Sequence, residues 1–68
     1  MRELERWMAV HFPGVVVELS FRALPDGLGV HTEAAVDLAG RMVVSGECIG
    51  IQAALLLLRI QLEEEVTA

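Results

Sequence analysis

His31, Glu33 and Asp37 stand at spacings of two and four residues in one extended stretch, so they share one face of a strand. Glu18, on the preceding extended stretch, belongs near them. Carboxylates and an imidazole on one surface could bind a divalent cation. At a strand's rise per residue, however, ligands at i, i+2 and i+6 spread over roughly 20 Å, too far to converge on one ion. A solvated sheet face accounts for the same residues, so no metal and no cofactor is expected. Glu18, Glu33 and Asp37 then form an acidic face. His11 lies on the apolar side of a short helix beside Phe12 and reads as a packed, hydrogen-bonded histidine. Cys48 is the only cysteine and has no Cys-x-x-Cys partner, so it reads as a buried thiol. Gly46 and Gly50 flank it as glycines flank a phosphate loop, but no Lys-Ser/Thr follows and no Gly-x-Gly-x-x-Gly is present. These residues make no catalytic set, and the expectation is a domain that is not an enzyme.

What positions these residues must be small. The chain has 68 residues, enough for a single domain over 1–68. A chain of that length buries only about 60% of the surface its unfolded form exposes, so its core is marginal without reinforcement. One cysteine allows no internal disulfide, which suits a reducing compartment. The opening Met1-Arg2-Glu3-Leu4-Glu5 alternates charge where an export signal needs an apolar run, and the expected location is cytoplasmic. Ten acids stand against five scattered arginines and no lysine, a net charge of −5. Nucleic-acid binding draws its affinity from cations on phosphates, and this balance argues against it. It argues equally against an anionic membrane surface.

Periodicity places the elements. Leu4, Trp7, Met8 and His11 recur at helical spacing over residues 2–11, and Pro13-Gly14 ends that helix. Residues 15–24 switch to a period of two, with Val15, Val17, Leu19, Phe21 and Ala23 on the buried side. Pro25-Asp26-Gly27-Leu28-Gly29 is a turn. Val30, Thr32, Ala34, Val36 and Leu38 form the buried side of a second strand. A loop of Asp26 to Gly29 places Arg22 opposite Glu33 and Glu18 opposite Asp37, a register that periodicity alone leaves open. Ala39-Gly40 marks a second hairpin, followed by a short strand from Arg41 to Ser45. The rest, from about Glu47 or Ile51 to Val66, is helical. The fold class is α+β, in the order α-β-β-β-α, with a three-stranded antiparallel sheet and both helices on one face.

The last helix is apolar around most of its circumference. Ile51, Ala54, Leu55, Leu58 and Leu62 make one stripe; Ala53, Leu56, Leu57 and Ile60 make a second. A transmembrane span needs about 20 apolar residues, and the run from Cys48 to Leu58 stops well short at Arg59. One sheet covers one side of a helix, so an apolar stripe is left over for a subunit interface, most simply of a two-fold homodimer. The expected interface is the first stripe: Ile51, Ala54, Leu55, Leu58 and Leu62. The competing reading has the first helix cover the second stripe through Trp7 and Met8.

The order α-β-β-β-α in so short a chain resembles the double-stranded RNA-binding domain. A glycine-bearing loop leads to His31, as that family's loop leads to a histidine that touches the minor groove. Ser45 precedes a helix carrying Ala53-Ala54, at the spacing of the family's Ser-Lys-Lys motif and its downstream Ala-Ala pair. The positions of the phosphate-binding lysines hold Gly46, Glu47 and Gly50 instead. The resemblance therefore implies a degenerate member of the fold, serving dimerisation or protein contact in place of RNA binding.

Three functions follow in order of expectation. The first is a non-catalytic protein-interaction or dimerisation module, with itself or another protein as partner. The second is a small acidic inhibitor or chaperone-like protein whose Glu18, Glu33 and Asp37 occupy a basic groove on a target. The third is a degenerate RNA-binding domain.

Overall fold

The computed structural model describes residues 2–25, 27 and 29–67. The chain is α+β. Helix α1 (Arg2–His11) is followed by strands β1 (Glu18–Ala23), β2 (Val30–Leu38), β3 (Arg41–Val44) and β4 (Cys48–Ile49), then by helix α2 (Ile51–Thr67). β2 is the central strand, paired antiparallel with β1 on one side and with β3 and β4 on the other. Within the turn expected at residues 25–29, Asp26 and Leu28 lie outside the described residues.

The β1–β2 register differs from the one a loop of Asp26 to Gly29 implies. Arg22 faces His31, Ser20 faces Glu33 and Glu18 faces Ala35, a displacement by two residues. A shift by two keeps every side chain on its expected face, whereas a shift by one would invert the sheet. The Leu24 N–H donates to the Gly29 carbonyl at 3.0 Å, which closes the hairpin one residue earlier on each strand than expected. β1 also starts later than its period-two pattern. Residues 15–17 belong to no strand, and Val15 and Val17 pack against the core.

β2 and β3 are joined by a two-residue hairpin, Ala39-Gly40, with both residues at positive φ (53° and 94°). That is the geometry whose twist matches flanking strands. Asp37 Oδ1 accepts from the Gly40 N–H at 2.7 Å and holds the turn.

β4 is an element that periodicity did not reveal. Val44 faces Ala35 and Cys48 faces Thr32, so Ser45, Gly46 and Glu47 on one strand oppose Glu33 and Ala34 on the other. One residue is in excess, which is a β-bulge, with Gly46 at φ +81°. Ser45 supplies the bonds at this break. Its N–H donates to the Ala34 carbonyl at 2.8 Å, and its Oγ accepts from the Ala34 N–H at 2.9 Å.

The core lies between the inner sheet face and the helices. Ala34, Val36, Val43 and Cys48 from the sheet meet Ala54, Leu55, Leu58 and Leu62 of α2 and Leu4 and Met8 of α1. α1 meets α2 along one flank, where Arg59 lies over the Trp7 ring at 5.3 Å. An ion pair between Arg41 and Glu65 ties the far end of α2 to β3.

Candidate functional site

Two surfaces of the molecule carry candidate residues. The first is the outer face of the sheet. Cross-strand partners share a face, so Glu18, Ser20 and Arg22 of β1 lie there with His31, Glu33, Ala35 and Asp37 of β2, Met42 and Val44 of β3, and Ile49 of β4. The bulge adds one more. Without its extra residue Glu47 would follow Val43 and Ser45 onto the inner face; with it, Glu47 shares the outer face with Ile49.

Glu47 there meets two partners from the other strands. Its Oε2 lies 2.5 Å from Arg22 Nη2 and 2.7 Å from His31 Nδ1. The short contact to the carboxylate puts the Nδ1 proton on the imidazole. The 3.3 Å approach of Arg22 Nη2 to the same nitrogen is then a contact of neighbours and not a hydrogen bond. A carboxylate that orients an imidazole is half of a general-base arrangement, but a nucleophile must complete it. Cys48, the adjacent thiol, points to the inner face and is 8% exposed. Ser20 lines the same hollow, yet no hydrogen bond joins it to His31 among the described residues. Both ion-pair partners of Glu47 leave it substantially exposed, and such pairs are worth about 0–1 kcal/mol.

Of the expected acidic face, Glu18 and Asp37 are exposed and Glu33 is half-buried. Glu18, opposite Ala35, lies diagonally between Glu33 and Asp37 on that face. Asp37 is engaged by the hairpin turn, and Arg22 and the apolar Met42, Val44 and Ile49 stand on the same face. Among the described residues no group of three or more His, Cys, Asp or Glu side chains could hold a metal ion. His11 is exposed, not packed in the core; its ring lies 5.0 Å from that of Trp7.

The second surface is α2. Four of the five residues expected at an interface, Ala54, Leu55, Leu58 and Leu62, are buried inside a single chain, and only Ile51 is exposed. The first stripe is therefore the core face, and an interface assigned to it has to move. The second stripe lies on the opposite side of the helix and stays open: Leu56 is 61% exposed, Leu57 42% and Ile60 45%. α1 does not cover it, because Met8 enters the core and Trp7 stacks with Arg59 and Phe12 on the helix flank. Beyond the start of α2 the open surface continues over Ile51 and Ile49 to Val30 and Phe21 at the end of the sheet. Phe21 has the inward parity of a core residue but is 56% exposed, because α2 begins beside β4 and does not reach that end of β1. Among the described residues no helix is long and apolar enough to cross a membrane.

No protein-family model, no curated protein and no solved structure matches this chain. The element order agrees with the double-stranded RNA-binding topology, and nothing beyond that order ties the chain to the family. Of the positions compared with its lysines, Gly46 and Glu47 form the bulge and Gly50, at φ +102°, precedes α2.

Proposed function

We propose that this chain is a non-catalytic interaction module that associates with a second copy of itself through the outer face of α2. The observation that carries this reading is the stripe Ala53, Leu56, Leu57 and Ile60, all exposed on the side of α2 opposite its buried residues. A surface helix ordinarily turns one apolar stripe inward and a polar face outward. Here polar residues are confined to the flanks and the last turns: Gln52, Arg59, Gln61 and the glutamates 63 to 65.

The magnitude indicates how tight such a contact is. Completing the burial of three large, roughly half-exposed side chains in each copy contributes about 1 kcal/mol apiece, or about 6 kcal/mol in all. Losing translational and rotational freedom costs about 4–15 kcal/mol. The stripe alone gives a weak pair, so the adjoining exposed Ile51 has to add to it for the dimer to persist at micromolar concentration.

Sedimentation velocity over a wide concentration range tests the reading. The wild-type chain should shift to twice the mass of one chain, and Leu56→Glu should remain at the mass of one chain while keeping its helical signal. A wild-type chain that stays at single mass throughout the range refutes it.

A further inference from the structure

From the pattern along α2 we infer that the two copies pair antiparallel, each helix setting Glu64 beside the first turn of its partner's helix. The inference rests on the self-association reading and specifies its geometry.

A two-fold interface is isologous: if residue i meets j, then j meets i. Around the midpoint between Leu56 and Leu57 the exposed face mirrors itself. Ala53 reflects onto Ile60, Leu56 onto Leu57, and Gln52 onto Gln61. All six are exposed in the single chain. An antiparallel pair brings each residue to its mirror position on the partner. The small Ala53 side chain receives the bulky Ile60, the two leucines interdigitate at the centre, and glutamine amides meet at the rim, where each can donate and accept.

Charge decides the direction. The last turns of α2 carry Glu63, Glu64 and Glu65, no basic residue lies in its last turn, and no acidic residue lies in its first. Acids at the carboxyl end oppose the helix dipole, and the amino end lacks the acids that would complement it. Glu63 is paired with Arg59 at 2.9 Å and Glu65 with Arg41, which leaves Glu64 as the exposed acid beyond the stripe. In the antiparallel register Glu64 reflects onto Ile49, just before the partner's helix begins at Ile51. The amides of a helix's first turn have no intrahelical acceptor and point along the axis toward its amino end. A parallel pair would instead bring both glutamate clusters together, on chains that each carry a net charge of −5.

Two independent experiments read the direction. In the first, Ala53→Cys and Ile60→Cys chains are made with Cys48→Ala and, separately, with the native buried Cys48, then mixed and oxidised. A 53–60 disulfide between chains is expected from the mixture, with little 53–53 or 60–60 product. In the second, Glu64→Lys is compared with wild type by sedimentation equilibrium. The antiparallel pair should lose affinity at least about threefold, since two equivalent helix-end contacts are removed. A parallel pair would gain affinity. Like-residue disulfides, a tighter Glu64→Lys dimer, or a dimer forming neither disulfide overturns the antiparallel arrangement and leaves the self-association reading standing. A wild-type chain that never dimerises overturns both.

Discussion

Replacing leucine by glutamate at positions 58 and 56, two residues apart on one helix, should have opposite consequences. Leu58 is fully buried among the sheet and both helices. Its removal forfeits about 1.5–3 kcal/mol of burial, and a carboxylate in its place adds several kcal/mol of uncompensated desolvation. A single core in a chain this short rarely supplies more than about 3–5 kcal/mol, so Leu58→Glu should be unfolded at 25 °C without denaturant. Leu56 is 61% exposed, and glutamate has nearly leucine's helix propensity. Leu56→Glu should therefore change the stability of the single chain by no more than about 0.5 kcal/mol. Far-ultraviolet circular dichroism with urea titration, at a concentration well below that of dimerisation, separates the two. A folded Leu58→Glu chain, or a Leu56→Glu chain unfolded under conditions where wild type folds, would refute the assignment of the core face.

Other expectations concern the turns and the packed flank. Ala39→Asn should raise the melting temperature by a few degrees, because asparagine tolerates the positive φ at which alanine is strained. Gly46→Ala meets no atom within 4 Å, so its cost is backbone strain of about 1 kcal/mol, a fall in melting temperature of about 4–8 °C by calorimetry. Arg59→Ala should alter the fluorescence of Trp7, the only tryptophan, while lowering stability by about 1 kcal/mol or less. The Cys48 thiol should react slowly with a disulfide reagent in the native chain and rapidly in denaturant; equal rates would place the thiol at the surface.

The elements that sequence made legible are those with an unbroken period. α1 and β2 have the bounds their patterns predict, and Ala39-Gly40 falls at the hairpin it marks. What periodicity concealed came from a break in it. Gly46 adds one residue to a strand, so Val43 and Cys48 both face inward although their spacing is odd. No single alternation could include both. The bulge also carries Glu47 to Arg22 and His31, a cluster invisible while Glu47 is read as a loop or helix start. An isolated glycine inside a strand pattern is the signal that could have found it. Parity names the face of a side chain but not what covers it, which is why Phe21 is exposed despite its inward parity.

The two stripes of α2 illustrate a different ambiguity. Each is apolar and each has helical spacing, so the sequence of the helix gives them equal claim to the core. The choice is made outside the helix. β4 pairs with β2 and turns Cys48 inward, and Gly50, at a φ open to glycine, sets the rotation at which α2 leaves the sheet. That rotation puts Ala54, Leu55, Leu58 and Leu62 on the sheet and Leu56, Leu57 and Ile60 outside. The bulge, the short strand and the glycine thus bear on which stripe of α2 faces outward, although none of them belongs to the helix. Core face and exposed stripe sit back to back on one helix, so association through the outer stripe would stabilise the helix on which the small core depends.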